Sequence, residues 1–205
     1  MAADRLAELV HDGFDLGFVS TSEQTTAYAR GLGLEVLDID CVESIDVTID
    51  GADEVGPRLD LIKGLGGALL REKIVASMTE KEVIVVDEFK VVDRLGTSAP
   101  LPVEMCGFAH VATARALEGL GCEPVLRLKD GRPFVTDGGN LIYDCRFDGI
   151  DDPSYLETAI DTIPGVVECG LFVGLTHAVE AYREEDDSVI ELRITDRRAG
   201  PRGSP

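Results

Sequence analysis

The sequence predicts an α/β protein, with a parallel sheet and its helices in the first half and a smaller α+β unit in the second. Strand-like and helix-like apolar patterns alternate over residues 4–86, which is typical of a parallel sheet. Residues 83–86 are wholly apolar, as in a central parallel strand. After Pro100 and Pro102 the order becomes β-α-β-β-α-β, which is that of a split ferredoxin-like unit.

The first half is divided by apolar periodicity and by helix caps. Ile and Val alternate with polar residues over 45–49, which predicts a strand, and the Ser-Thr-Ser sequence at 20–22 caps the helix that follows it. Leu69, Ile74 and Met78 lie on or near one face of a further helix. In chain order, the predicted elements are helix 4–12, strand 16–19, helix 23–32, strand 35–39, strand 45–49, helix 66–81 and strand 83–86.

The second half contains two more helices, each between strands. Gly121 is a C-terminal stop for the first helix, and Pro153 lies in the first turn of the second. The predicted order is strand 101–106, helix 107–121, strand 123–128, turn 129–131, strand 140–147, helix 153–163 and strand 166–172, then a short strand or turn at 178–182, strand 188–194 and a tail at 195–205. Residues 101–170 are therefore a candidate inserted or appended domain.

The charge balance excludes several classes of function. Asp and Glu number 39 against 19 Lys and Arg, which gives a net charge of -20. Such a field repels nucleic acid, and no apolar stretch approaches the ~20 residues of a membrane helix. The first ten residues include charged side chains and no apolar run, so no signal peptide is expected and a cytoplasmic location is predicted. Five Lys against fourteen Arg, with this acidity, favour a salt-adapted protein over an ordinary acidic enzyme.

Cysteine and histidine provide no metal-ligand pattern. The five cysteines form no CxxC pair and have apolar neighbours, so we expect them to be small buried hydrophobes. The three histidines are scattered along the chain. No metal site is predicted.

An acidic motif follows the strand predicted at 45–49. Asp50-Gly51-Ala52-Asp53-Glu54 lies where an open α/β sheet binds its ligands, beyond the carboxyl end of a strand. The alternative interpretation is a solvated acidic turn in an acid-rich chain.

A glycine-rich loop opens the helix predicted at 66–81. In Lys63-Gly64-Leu65-Gly66-Gly67, backbone N–H groups and the helix N-terminus can approach an anion. The loop lacks the Lys-Ser/Thr of nucleotide-triphosphate sites, and a glycine turn without a ligand is an equally good interpretation of the loop alone.

Charged residues next to this loop suggest acid–base chemistry. Glu72 lies in the first turns of the helix, where a carboxylate can act as a general base, although surface charge is the alternative. Lys90 follows strand 83–86 and supplies a cation at its carboxyl end. Four of the five lysines fall between positions 63 and 90, which favours a role in chemistry or phosphate contact.

These motifs together resemble the type A family of ribose-5-phosphate isomerases. The resemblance covers residues 17 to about 174 and depends on several motifs in a fixed order. The matching residues are Asp50-Gly51-Ala52-Asp53-Glu54, Lys63-Gly64-x-Gly66-Gly67-Ala68-Leu69-x-Arg71-Glu72-Lys73-Ile74, Asp87-Glu88-x-Lys90, Asp137-Gly138-Gly139-Asn140 and Ile163-Pro164-Gly165-Val166-Val167, with Thr21-Ser22 near the first sugar-proximal helix.

The resemblance implies interconversion of D-ribose 5-phosphate and D-ribulose 5-phosphate through an enediolate, in the non-oxidative pentose phosphate pathway and without metal or cofactor. By position, Glu72 matches the base that moves the proton between C2 and C1. Asp50 matches a residue that assists ring opening, and Asp53 and Lys63 match groups that hold O1 and O2. The implied substrate-binding set is Asp50, Gly51, Ala52, Asp53, Lys63, Gly64, Leu65, Gly66 and Lys90.

The resemblance also implies an architecture and an assembly. A Rossmann-like core would comprise residues 1–100 and 171–205, and residues 101–170 would form a ferredoxin-like lid and oligomerisation domain. The expected partners are the sugar-phosphate substrate and further copies of the chain, as a homodimer or homotetramer, with no nucleic acid and no membrane.

The chain departs from the family pattern at two places. Leu65 stands where the family loop has Gly, and its side chain either narrows the approach to the ligand or points away. The chain also starts after the family's first strand and its Gly-Thr-Gly-Ser-Thr loop, since residues 2–11 match the helix that follows that loop. We expect the true start to lie upstream, and the alternative is a truncated product. The alternative function is a catalytically impaired sugar-phosphate-binding paralogue or sensor on the same fold.

Overall fold

The computed structural model describes residues 2–193, which form helices, a mainly parallel sheet and an antiparallel sheet. The α-helices are α1 (Ala2–His11), α2 (Glu23–Gly31), α3 (Leu69–Ser77), α4 (His110–Glu118) and α5 (Pro153–Asp161). The strands are β1 (Ile45–Asp50), β2 (Glu54–Val55), β3 (Leu61–Ile62), β4 (Thr79–Asp87), β5 (Leu101–Met105), β6 (Glu123–Leu126), β7 (Leu128–Lys129), β8 (Arg132–Pro133), β9 (Leu141–Arg146), β10 (Val166–Cys169), β11 (Leu171–Phe172), β12 (Ala178–Arg183) and β13 (Ser188–Arg193).

The first sheet has the order β1-β4-β12-β13. β4 is parallel to both β1 and β12, and β13 returns antiparallel to β12. Ile84 and Val86 of β4 pack with Val179 of β12 in a buried core on one face. The predicted parallel strand is therefore internal to the sheet, but Val85 on its other face is about half exposed among the described residues.

The second sheet has the order β10-β5-β9-β6 and is antiparallel throughout. Its strands and helices follow the chain order β5-α4-β6-β9-α5-β10, with the β7–β8 hairpin inserted, so the predicted β-α-β-β-α-β order is confirmed. Leu101 and Val103 of β5 share a buried core with Leu117 of α4 and Ile160 of α5.

A small sheet has the order β11-β3-β2 and contributes to both buried cores, with Ile62 and Leu171 in one and Leu61 and Phe172 in the other. The predicted strand 166–172 is divided by Gly170 into β10 and β11. Gly170 donates its N–H to the Pro102 carbonyl at 2.8 Å and accepts from the Lys63 N–H at 2.9 Å. A Cβ at this glycine would lie 2.2 Å from the Lys63 carbonyl oxygen, so the close approach of the chains requires glycine here.

Several predicted elements differ from the structure. The predicted strands 16–19 and 35–39 reduce to a single parallel bridge between Phe18 and Val36, because polar and glycine positions interrupt both runs. The helix predicted over 66–81 extends only from Leu69 to Ser77, since Thr79 already pairs with Ile45 as the start of β4. Residues 194–205 lie outside the described part of the chain.

The sequence predicted that all five cysteines are buried, and for two of them this is wrong. Cys122, Cys145 and Cys169 are buried, Cys106 is partly exposed and Cys41 is exposed. Cys41 lies in the 3-10 turn that replaces the end of predicted strand 35–39, so the error in the strand also explains the error in its burial. No described helix is long and apolar enough to cross a bilayer.

Candidate active site

The centre of the candidate site is Lys63, which follows β3 and is 3% exposed. Its Nζ donates to Asp50 Oδ2 at 2.9 Å and also to the carbonyl oxygen of Gly51. Asp50 ends β1, so its carboxylate lies at the carboxyl end of a parallel strand, where open α/β sheets hold ligands. The N–H of Lys63 is fixed by Gly170, which holds the buried lysine in position.

Glu72 of α3 brings a second carboxylate to the same ammonium group. Its Oε2 lies 3.3 Å from Lys63 Nζ, and its side chain is 14% exposed. Apart from that ion pair, this oxygen meets no hydrogen-bond donor among the described residues. The structure therefore brings Asp50, Lys63 and Glu72 together, as the sequence predicted, in what we call the Lys63 triad.

Burial and neighbouring charges shift the pKa values of Glu72 and Lys63. Burial raises the pKa of Glu72, Lys63 partly offsets that effect, and the negative charge of Asp50 adds to it. Burial alone would lower the pKa of Lys63, but Glu72 and Asp50 together raise it. Lys63 is therefore held as a cation beside a carboxylate that accepts a proton more readily than an exposed glutamate.

The loop at 64–67 is tied to the acidic motif. The N–H of Leu65 donates to Asp53 Oδ2 at 2.9 Å, and Gly67 N–H closes the turn on the Gly64 carbonyl at 3.0 Å. Gly64 has φ +108, and a Cβ there would lie 2.9 Å from the Leu69 side chain of α3, so glycine is required. Gly66 lies between these two anchored positions. Leu65 is 46% exposed, so about half of its surface is open to solvent.

Two lysines hold the carbonyl oxygens of the acidic turn. Lys63 takes the Gly51 carbonyl, and Lys90 Nζ donates to the Ala52 carbonyl at 2.8 Å. Lys90 follows β4 in a short 3-10 turn, so it reaches the acidic motif from the neighbouring strand. Every predicted site residue therefore lies in or beside one connected cluster.

Comparison with known proteins identifies the family. The family model for ribose 5-phosphate isomerase A (phosphoriboisomerase A) matches residues 17–186. The chain belongs to this family. Ribose-5-phosphate isomerase A of Gloeobacter violaceus is 53% identical over 179 residues, which cover 87% of this chain and 78% of that protein. Its counterpart from Thermomicrobium roseum is 48% identical over 197 residues, covering 95% and 83%.

Solved structures of the family confirm the predicted α/β fold class. Ribose 5-phosphate isomerase from Plasmodium falciparum superposes with a TM-score of 0.87 at 35% identity, covering 94% of this chain and 85% of that one. A D-ribose-5-phosphate isomerase in complex with phospho-erythronic acid gives a TM-score of 0.89 at 37% identity, covering 93% and 84%. The resemblance seen in the motifs is thus confirmed over nearly the whole chain.

Sequence reasoning missed Arg127, which lies between β6 of the second sheet and β7 of the β7–β8 hairpin. Its NH1 donates to the carbonyls of Gly64 at 2.8 Å and Leu65 at 3.1 Å. Asp144 of β9 holds the other side of the guanidinium, with Nε to Oδ2 at 3.0 Å. Because Arg127 is about sixty residues from the loop in sequence, no local pattern could have revealed the contact.

Sequence reasoning also missed Glu82 of β4, which is 1% exposed. It shares a strand face with Ile84 and Val86, which are both buried. This alternation was a usable signal, because a carboxylate in phase with buried apolar residues must itself be buried.

Among residues 2–193, one group of possible metal ligands lies outside the site. Carboxylate and thiol atoms of Asp161, Glu168 and Cys169 lie within 4.8 Å of one another. Lys73 Nζ already donates to Glu168 Oε1 at 2.6 Å and to Glu157 Oε1 at 2.9 Å. Lys73 already binds the Glu168 oxygen that this group would offer, and we assign no metal to it.

Proposed function

We propose that the chain interconverts D-ribose 5-phosphate and D-ribulose 5-phosphate by proton transfer. The observation that carries this proposal is the Lys63 triad, in which one buried cation lies between two carboxylates at a strand end. Family membership supports the substrate, because the named relatives are ribose-5-phosphate isomerases.

In the proposed reaction, Glu72 removes the proton from C2 of the open-chain aldose. The electron pair forms the C1–C2 double bond, and the aldehyde oxygen becomes an enediolate oxygen. Lys63 and the N–H group of Gly66, in the 64–67 loop, stabilise that negative charge. Glu72 then returns the proton to C1 while the O2 proton passes to O1, so the ketose forms with no net oxidation.

Asp50 and Asp53 take supporting roles in this proposal. Asp50 lies within hydrogen-bond distance of Lys63 and assists ring opening and the transfer between hydroxyls. Asp53 fixes the loop through the Leu65 N–H. Gly51, Ala52, Gly64, Leu65, Gly66 and Lys90 complete the proposed substrate-binding set. A non-catalytic sensor has no need of a buried carboxylate with a raised pKa, which favours the enzyme over that alternative.

We further propose that residues 101–170 act as lid and oligomerisation domain of a cytoplasmic homodimer or homotetramer. Phe108 is 88% exposed, Tyr155 is 71% exposed and Val111 is 51% exposed within this segment. Exposed apolar side chains in one unit are the kind of surface that a second copy covers. The mass measured by sedimentation tests this assembly.

The test of the activity is turnover of ribose 5-phosphate by this 205-residue chain in molar KCl. We expect Glu72→Gln to reduce kcat by about a thousandfold or more, because general bases contribute roughly 10²–10⁴-fold. The matched control is Glu104→Gln, the same change at a buried glutamate of the second sheet.

Each outcome of this test has a defined meaning. Activity lost in Glu72→Gln and retained in Glu104→Gln supports the proposal. A folded wild-type chain that binds the sugar phosphate without turning it over would establish the impaired paralogue instead. Wild-type turnover that survives Glu72→Gln would remove Glu72 from the mechanism.

A further inference from the structure

Glu82 is a buried carboxyl that the proposed mechanism does not use. It is 1% exposed on β4, and its Oε2 meets no hydrogen-bond donor within residues 2–193. A buried carboxylate without donors is costly, so such a group stays protonated until the pH is well above its usual range. Buried side chains with an unsatisfied oxygen call for an explanation beyond packing.

The sheet register places Glu82 behind the Lys63 triad. Glu82 lies opposite Thr48 in the parallel pair of β1 and β4, and Asp50 is two residues further along β1. Side chains two residues apart on a strand share a face, and neighbouring strands are only about 4.8 Å apart. Glu82 and Asp50 are therefore diagonal neighbours, and α3 with Glu72 packs on these same two strands.

The remaining side of Glu82 offers no compensating cation. The backbone N–H of Glu82 donates to His177 Nδ1 at 3.0 Å, and the backbone N–H of His177 donates to the backbone carbonyl of Glu82 at 3.0 Å. His177 Nδ1 therefore serves as an acceptor for the backbone of Glu82 and does not donate to its carboxyl group. Thr176 next to it has a buried hydroxyl oxygen without a partner in the described chain. The charged and titratable groups that face Glu82 are thus Asp50, Lys63, Glu72 and His177, of which Lys63 alone is cationic.

This surrounding explains the ionisation of Glu82. Burial is the main cause that raises the pKa of Glu82 to about 7, the charges of Asp50 and Glu72 raise it further, and Lys63 opposes them. When Glu82 is protonated, Lys63 is surrounded by two carboxylates, those of Asp50 and Glu72. When Glu82 is ionised, Lys63 is surrounded by three.

We propose that Glu82 is a positioning residue that acts through Lys63 by holding a proton while the enediolate forms. The inference rests on the proposed isomerase function. With Glu82 neutral, the field of Lys63 is available to the developing oxyanion. With Glu82 ionised, a third negative charge weakens that field and repels both the enediolate and the anionic substrate.

The consequence is a fall in activity as the pH rises through neutrality. Charges on diagonal neighbours of adjacent strands interact appreciably even at the effective dielectric constant of about 20 that suits protein sites. After screening by salt, we expect kcat/KM of the wild type to decrease about fivefold between pH 6.5 and 8.5. In Glu82→Gln, which stays neutral and nearly isosteric, kcat/KM should remain flat over that range.

The control is Glu80→Gln, the same substitution at an exposed residue of the same strand. It should retain the wild-type fall in kcat/KM above pH 6.5. A fall that persists unchanged in Glu82→Gln, in an enzyme that turns over ribose 5-phosphate, overturns this inference and leaves the proposed function standing. Absence of turnover at every pH in the folded wild type overturns both.

Thermal unfolding provides a second readout that needs no turnover. The folded pKa of Glu82 is above the roughly 4.3 of an unfolded glutamate, so the stability that neutral Glu82 contributes is lost as the pH rises through about 7. The Tm of Glu82→Gln minus that of the wild type should therefore increase from pH 5 to pH 8.5. A Tm difference that does not change with pH shows that Glu82 does not titrate there, and it overturns the inference.

Discussion

Buried glutamates occur in two kinds of surroundings in this molecule. Glu54 and Glu104 are 0% and 2% exposed, and each accepts at least two hydrogen bonds. Glu72 and Glu82 are also largely buried, yet each has one oxygen that accepts no hydrogen bond from the described residues. Burial raises the pKa of both members of this second pair.

The partners of the first pair show what those glutamates do. Glu54 accepts N–H groups of Gly96 and Ala99, each at 2.6 Å, and so holds the segment before β5. Glu104 accepts from the hydroxyl of Thr136 at 2.8 Å and the amide of Asn140 at 2.9 Å. Donors that satisfy a carboxylate stabilise one conformation of the chain, whereas a carboxylate left short of donors keeps its capacity to take a proton.

The sharpest test of the surroundings of Glu72 and Glu82 is removal of their cation by Lys63→Met. We expect kcat/KM to fall about a thousandfold, because the enediolate loses its main electrostatic partner and Glu72 loses the charge that keeps it ionised. The matched control is Lys81→Met, an exposed lysine of β4, which should remain within twofold of the wild type. Steady-state kinetics, with circular dichroism to confirm folding, measures both. A loss below tenfold would show that Lys63 balances buried charge without serving the reaction.

At the hydrogen-bonded pair, Glu54 and Glu104, we expect a substitution to lower stability and to leave turnover unchanged. Glu54→Gln replaces one acceptor oxygen by an NH₂ group that faces backbone donors, and we expect a loss of about 3 kcal/mol in the free energy of unfolding. The kcat of the folded variant should stay within twofold. Urea denaturation compares it with Glu72→Gln, which should cost little stability. Unchanged stability with lost turnover in Glu54→Gln would place Glu54 in the reaction and end the distinction between the two pairs.

The acidic motif shows what the sequence could and could not predict. Its position after a strand predicted a ligand site, and the alternation over 45–49 located the end of that strand correctly. Its three carboxylates looked equivalent in sequence, but the structure separates them. Asp50 meets Lys63, Asp53 meets the loop, and Glu54 turns away into β2 to hold residues 96–99. The partners of Asp50 and Asp53 lie 13 and 12 residues along the chain, whereas the partner of Glu54 is 45 residues away.

Local pattern likewise predicted the internal elements better than the connections. The alternation of β1 specifies its strand almost unaided, and the apolar run at 83–86 predicts the second half of β4. Phe18 and Val36 instead form one bridge, since an apolar run becomes a strand only where a neighbour pairs with it along its length. Arg127 is a similar case, because its loop contact depends on how the second sheet packs beside α3.

Arg127→Met tests whether a charged group near the site that has its hydrogen-bond partners also matters for the reaction. Arg127 binds the carbonyls of Gly64 and Leu65 and is held by Asp144, so it belongs to the fully bonded environment while it positions the catalytic loop. We expect kcat/KM to fall about tenfold, mainly through kcat, because N–H groups of a looser loop align less well with the oxyanion. Arg127→Lys should recover only part of the loss, since lysine cannot replace the planar fork between Asp144 and the loop. The control is Arg132→Met, an exposed arginine of the β7–β8 hairpin. A variant that loses stability but keeps kcat/KM would confine Arg127 to holding the two sheets together. Charged groups with hydrogen-bond partners would then be structural, and those that lack partners would be catalytic.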